Sequence, residues 1–393
     1  MTDSILFWND VALEANWVSH TNGLQEQTGP PLSARALAIV HLAMHDAYVA
    51  ADGAAGYVPY LPGLPAAPAG ASASAAVTGA AYTALSALFP SQRNLFEIKL
   101  GQAGNVLDPG HEFGATVARA ILQDRGSDPS VSAAGYVASP ARGRHRADPD
   151  NPSQGYHAPF YGALAKGFAI TDRHELLAPP LDTPEYIRAL RQVRGVGIAP
   201  ELMGTVPSTL VQRTVNQTMI GIYWGYDGAA GLGTPPRLYN QIVRQVAMAQ
   251  GNTEAKNARL FALVNVAMAD AGILAWDQKY IHDFWRPVVG IREHDLSMGL
   301  GIQPTDNLSN DTDPVWVPLG APATNSMNQN FTPQAADVFP FNQAVVGRMK
   351  NFTPPFPAYP SGHATFGAAA LHITRLFYGI ASGHRGADKL FDK

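Results

Sequence analysis

The sequence predicts an all-α protein, and three observations carry that prediction. Alanine-rich segments with apolar residues at the helical period dominate the chain. Alternating strand patterns are few. There is neither a coiled-coil heptad nor a repeat of fixed period.

The elements follow in order. A first helix is expected over residues 5–20. The turn Thr28-Gly29-Pro30-Pro31 leads to Ser33, read as the N-cap of a helix ending near Ala51. The Pro/Ala/Gly stretch from Tyr57 to Gly70 is loop. Helices are then expected at 72–89, 91–104 and 111–125. From Gly126 to Pro180 the pattern dissolves into Gly, Pro, Asp and Ser, a long excursion that divides the chain into halves, 1–180 and 181–393. Helices resume at 184–194, 207–224, 235–250 and 253–285. Residues 293–360 are again loop-rich, and a last helix runs from Ser361 to Tyr378.

Composition bounds the function. A chain of 393 residues, 46% hydrophobic and 15% charged, builds a large globular core without staples. A net charge of -4 gives no electrostatic reason to expect nucleic acid or an anionic membrane as partner. With no cysteine, disulfides, thiolate metal sites and cysteine nucleophiles are excluded. The start, MTDSILFWND, lacks a basic region followed by an apolar stretch, so no signal peptide is read. No run approaches the roughly 20 apolar residues of a membrane span. The chain reads as soluble.

Two constellations carry chemistry. Lys279 and Arg286 stand seven apart, close to two helical turns, and are expected on one helix face with Trp276 one turn before and Asp283 between. Pro287 ends or kinks that helix. Two cations beside Trp276, Phe284 and Trp285 can clamp a tetrahedral oxyanion. The bland alternative is a surface helix with a Lys279–Asp283 pair.

The second is Pro354-Pro355-Phe356-Pro357-Ala358-Tyr359-Pro360-Ser361-Gly362-His363, which precedes a helical run. Ser361 sits at the N-cap, Gly362 permits close backbone approach, and the first amides of the helix are unpaired donors with the dipole behind them. That is an oxyanion site by physics, with His363 placed to exchange protons. An ordinary capped helix with a chance histidine is the alternative.

Together these motifs resemble the superfamily that unites vanadium haloperoxidases with type 2 phosphatidic acid phosphatases and bacterial acid phosphatases. More narrowly the chain resembles the fungal-type vanadium chloroperoxidases. ILFWNDVALEANWVSHTNG, TGPPLSARALAIVHLAMHDAY, YWGYDG, GTPPRLYNQIVRQVA, ARLFALVNVAMADAGI, FWRP, LGAPATN and PPFPAYPSGHATFG carry the likeness, which is thinner over 54–205. It implies two four-helix-bundle halves with long Pro/Gly-rich loops and the active site in the second. It implies orthovanadate as cofactor, with hydrogen peroxide and halide, chloride or bromide, as reactants, giving hypohalous acid. By the match, Lys279, Arg286, Ser361 and Gly362 hold vanadate, and His363 is the acid–base residue, with Lys279 assisting catalysis. Trp276 and Phe356 line the halide pocket, and Asp227 is a carboxylate paired with an arginine of a third motif.

That third motif should supply an arginine and an axial histidine. Only 30 residues follow His363, and neither His372 nor Ser382-Gly383-His384-Arg385-Gly386-Ala387-Asp388 has its order and spacing. The axial ligand is therefore not found in this chain, and a further C-terminal segment carrying it is expected. A vanadate-sensitive acid phosphatase and an inactive oxyanion-binding remnant stay open as alternatives. Secretion enters only by analogy with the family.

Of the other histidines, His41 and His45 stand i,i+4 before Asp46 and are read as a structural polar cluster in preference to a metal pair. Gly143-Arg144-His145-Arg146 is read as solvated loop, and His282 as a buried, hydrogen-bonded neighbour of the site.

Overall fold

The computed structural model describes residues 3–53, 56–178, 180–225, 233–293, 311–319, 353–380 and 390–391. Among these residues there are 12 helices and no strand. In the N-terminal part they are α1 (Ser4–Ser19), α2 (Pro30–Ala51), α3 (Ala73–Leu88), α4 (Arg93–Ala103), α5 (Pro109–Asp124) and the short α6 (Tyr161–Leu164). Then come α7 (Pro184–Val196), α8 (Val215–Trp224), α9 (Pro235–Ala249), α10 (Glu254–His282), α11 (Pro287–Glu293) and α12 (Gly362–Phe377).

Starts are set by side-chain caps. Asp3, Ser72, Asp108, Thr183 and Thr253 each accept a hydrogen bond from an amide of the first turn that follows. Thr214 and Gln217 form a reciprocal capping box on α8. That box explains why α8 begins at Val215 and not near 207. The Arg213 guanidinium is also committed, donating to the carbonyls of Val196 (2.7 Å) and Ile198 (2.5 Å), which holds the preceding segment against the end of α7. Ser33 is not a cap. The helix starts three residues earlier, with Pro30 and Pro31 in its first turn. Proline fits there because its missing N–H has no intrahelical role. The Ser33 hydroxyl instead accepts from Asn16 (2.8 Å) inside the core.

The small residues have a packing purpose. A Cβ on Gly114 of α5 would lie 1.9 Å from the Ala76 carbonyl of α3, and one on Gly79 of α3 would lie 1.9 Å from the His111 carbonyl of α5. The two backbones touch, so only glycine serves at either point.

One hydrophobic core runs through α1–α5, α9, α10 and α12. The 29-residue α10 is its axis. It is long and apolar enough to cross a membrane, but 72% of its apolar window is buried against the rest of the chain. A polar ladder crosses the core. Asn240 and Asn265 exchange two amide bonds (2.8 and 3.0 Å), and Asn9 meets Nε2 of His41 at 3.0 Å. His41 Nδ1 faces the Leu37 carbonyl at 2.6 Å and must donate to it, so Nε2 accepts from Asn9. Burial pushes the His41 imidazole down to about 4. His45 contacts Asp46 at 2.9 Å. Among the described residues no cluster is suited to a metal ion.

The 126–180 excursion packs along α10. Asp270 collects the amides of Phe168, Ala169 and Ile170 at 2.7–3.1 Å, and Gln278 accepts from the Leu176 amide at 2.8 Å.

Candidate functional site

The last turns of α10 place Trp276 and Lys279, both buried, at one end of the core. The helix then stops at His282, before Arg286 is reached. Asp283 is left-handed, with φ 50°, and turns the chain out of the helix. Segment 143–145 meets it there. The Trp285 amide donates to the Gly143 carbonyl (2.9 Å), and the His145 amide donates to the Asp283 carbonyl (2.8 Å). Lys279 and Arg286 therefore do not share a helix face, which corrects the reading of a continuous helix. They converge by a chain reversal that a distant segment braces. Asp283 does not turn to Lys279; its carboxylate accepts from the Tyr136 hydroxyl at 2.8 Å, and burial raises its pKa.

The proline-rich approach to α12 wraps the two cations. Lys279 Nζ donates to the carbonyls of Pro357 (2.8 Å), Pro360 (2.5 Å) and, more weakly, Ala358 (3.4 Å). Arg286 Nε donates to the Phe356 carbonyl (2.6 Å), with its guanidinium carbon 4.6 Å from the Phe356 ring centre. Lys279 Nζ lies 5.2 Å from the same ring centre and 5.7 Å from that of Trp276. Ser361 caps α12 as expected, its hydroxyl accepting from the Ala364 amide (3.3 Å). The Tyr239 hydroxyl donates to the His363 carbonyl (3.0 Å), seating the first turn on α9.

These elements enclose a cavity of about 240 Å³. Trp276, Lys279, Arg286, Phe356, Ser361, Gly362 and His363, all singled out in the sequence, line it together. Pro30, Trp224, Pro235, Leu319 and Phe366 complete much of the wall, and sequence reasoning assigned none of them. Two cations and a helix N-terminus face the space, and no Asp or Glu is among its described lining residues. Such a pocket selects an anion. Asp227, His384 and Arg385 lie outside the described residues.

Two further histidines support the site. His145 is not solvated. It is fully buried, and neither ring nitrogen has a hydrogen-bond partner among the described residues. Its backbone pairing with Asp283 carries it inward. Burial, reinforced by the nearby Arg286 and Lys279 charges, pushes it down to about 3. His157 ties the excursion to both constellations: its amide donates to the Pro355 carbonyl (2.8 Å), and its carbonyl accepts from the Tyr280 hydroxyl (2.7 Å). The ring of His282 packs on Tyr359, with centres 5.3 Å apart.

The site is thus a cation-lined pocket at one end of a helical core. Comparison places it in a family. Residues 1–167 match the vanadium chloroperoxidase N-terminal domain, and residues 259–386 match the second helical-bundle domain of the same proteins. The vanadium chloroperoxidase of Curvularia inaequalis is 37% identical over 440 aligned positions, covering 96% of this chain and 66% of that protein. The chain belongs to the vanadium chloroperoxidase family. It spans about two thirds of the length of that curated relative. Among solved structures, a bacterial vanadium-dependent iodoperoxidase superposes with a TM-score of 0.63 at 17% identity, covering 94% of this chain and 80% of the other. A holo-type bacterial vanadium-dependent chloroperoxidase gives 0.55 at 14% identity, covering 89% and 76%. At such identities the likeness is one of fold.

Proposed function

We propose that this protein is a haloperoxidase that binds vanadate in the Lys279–Arg286–α12 cavity and oxidises chloride or bromide with hydrogen peroxide to hypohalous acid. The observation that carries the reading is a cavity lined by two cations, a helix N-terminus and no described carboxylate. The space also fits. A Cβ on Gly362 would stand 3.6 Å from the Trp276 ring and 3.9 Å from Lys279 Cε, ordinary contact distances. No described protein atom demands glycine there, so the small residue preserves room for a ligand. Curvularia vanadium chloroperoxidase is the relative whose name points to vanadate as that ligand.

Bound vanadate supplies a Lewis-acidic centre at which hydrogen peroxide becomes reactive toward halide. This chain's residues do the rest. Arg286 and Lys279 neutralise the oxyanion and donate to it. The Pro357 and Pro360 carbonyls hold the Lys279 ammonium at the cavity wall, beside the ligand. The Ser361 hydroxyl and the Gly362 amide complete the cradle. The His363 imidazole takes the proton that hydrogen peroxide gives up. Trp276 and Phe356 form an apolar wall that strips water from the halide. The same charge and shape suit phosphate, so phosphatase activity is the outcome to exclude.

The test is vanadate-dependent halide oxidation by the full-length protein. Bromide and chloride turnover should require vanadate, and His363→Ala should lower kcat by roughly 10²- to 10⁴-fold. Vanadate-inhibited hydrolysis of p-nitrophenyl phosphate without halide oxidation would replace this reading with a phosphatase. Vanadate binding with neither activity would leave an oxyanion-binding remnant.

A further inference from the structure

The chain has six tryptophans, and four of them are buried: Trp8, Trp276, Trp285 and Trp316. Trp17 and Trp224 are exposed to nearly the same degree, 37% and 40%. Of that pair, Trp224 is among the described residues lining the Lys279–Arg286 cavity and Trp17 is not. Trp224 therefore stands at the rim, with part of the residue on the cavity and part in solvent. Its place is built. The capping box of Thr214 and Gln217 starts α8, and Trp224 ends it. The Trp224 ring centre lies 6.4 Å from that of His363 and 6.1 Å from that of Tyr239, whose hydroxyl donates to the His363 carbonyl. Trp276 also lines the cavity, but it is fully buried, with the ring centres of Phe356 and Phe366 4.8 and 6.4 Å from its own. Indole has the most electron-rich face of the aromatic side chains. A rim tryptophan is thus the reactive ring that an oxidant leaving the cavity meets before bulk water.

We propose that Trp224 is a self-modification site, where hypohalous acid leaving the cavity oxidises the indole to 2-oxindole. The proposal rests on the haloperoxidase reading and names a target of its product within the protein itself. Indole C3 attacks the halogen of hypohalous acid. A carbon–halogen bond forms as the halogen–oxygen bond breaks, and the hydroxide released takes the indole N–H proton and becomes water. Water then adds across the C2–N double bond. C2 loses its proton as halide leaves C3, and the resulting enol becomes the lactam. The ring gains one oxygen and gives up two electrons. The halogen takes them and departs as halide. The second stage needs water at C2, which the exposed Trp224 has and the buried Trp276 lacks. Proximity separates Trp224 from Trp17, because a reagent formed beside one ring meets it at a local concentration that the bulk never reaches.

The test is peptide mapping by mass spectrometry after bromide turnover by the full-length protein with vanadate and hydrogen peroxide. Taurine is added to scavenge hypobromite from bulk water, and bromotaurine reports total bromide oxidation. Trp17 is the control of matched exposure. Met248 is the second control: it is 46% exposed, 13 residues along α9 from Pro235 on the cavity wall and so about 20 Å away, with a readily oxidised sulfur. Trp224 should gain one oxygen at least about tenfold more often than Trp17. Taurine sufficient to protect Trp17 and Met248 should leave Trp224 oxidation in place. Reagent hypobromite added to resting protein should instead oxidise the two tryptophans to similar extents, and omitting bromide should abolish the modification. Bromotaurine formation with equal oxidation of Trp224 and Trp17, with equal protection of both by taurine, or with Trp224 oxidation that persists without bromide overturns the proposal and leaves the haloperoxidase reading standing. Absence of bromotaurine refutes the haloperoxidase reading, and the self-modification with it.

Discussion

Lys279 and Arg286 grip the same loop: Lys279 donates to the carbonyls of Pro357 and Pro360, and Arg286 donates to that of Phe356. The cations that should bind the oxyanion therefore also shape the entry to α12. Removing either should affect ligand and loop together. Arg286→Ala should weaken vanadate binding by roughly 10- to 100-fold, the worth of a charge-assisted hydrogen bond of about 1.5–3 kcal/mol. Equilibrium dialysis with vanadate checks this. Unchanged affinity would remove Arg286 from the site.

Gly362→Ala separates space from fold. The added methyl meets Trp276, Lys279 and Phe366 at 3.6–3.9 Å, so the melting temperature should hold. The methyl lines the cavity, so vanadate affinity should fall at least about tenfold. A variant that binds vanadate normally would show that the ligand does not use this cradle.

Acid should destabilise the protein through His41. Its folded pKa, about 4, lies below the ordinary 6.5, so the unfolded chain binds more protons between those values. Stability from this group is full above pH 6.5 and is lost as pH falls toward 4, by about 3 kcal/mol at most. Protonated Nε2 would face the donating amide of Asn9. Urea unfolding at pH 7 and pH 5 should show the loss, and His41→Gln should flatten it. An identical pH slope in the variant would clear His41.

His145→Phe should be tolerated, because it removes two buried ring nitrogens without partners among the described residues and keeps an aromatic ring against Tyr156. Its advantage should grow on acidification, since the His145 pKa is about 3 and its charging in the unfolded state opposes folding below 6.5. Denaturant titration at both pH values measures it. A collapse of stability at pH 7 would mean that the nitrogens have partners after all.

Gly114→Ala should cost at least about 2 kcal/mol, because its Cβ would sit 1.9 Å from the Ala76 carbonyl and force α3 and α5 apart. A drop in thermal stability without loss of helical circular dichroism is the expected result.

Local signals made much of this legible. Helical periodicity located α1, α3, α5, α9 and α10 to within a few residues, and Ser361 capped α12 as its side chain required. The residues that line the cavity together were legible because their chemistry is local: cations, a cap, a glycine and a histidine near two motifs. What escaped was set by contacts between distant segments. Asp283 ends α10 because residues 143–145 pair with its neighbours, and nothing in the sequence around Lys279 announces that. The same pairing buries His145, which its Arg-flanked context disguised. Ser33 passed for a cap because its use inside the core depends on Asn16 from another helix. Leu319 and Trp224 join the wall only through tertiary folding.

Helix α10 runs unbroken from the Asn240–Asn265 rung to Lys279, 14 residues on and about 21 Å away along the axis. It works as a ruler. The polar ladder fixes its zero mark in rotation as well as in height, and the ammonium is read off at the far end. A helix turn is 100° per residue, so even a small loss of register at Asn265 swings the charge sideways out of the pocket. The placement of that ammonium is therefore set deep in the core, by two asparagines that do not line the cavity.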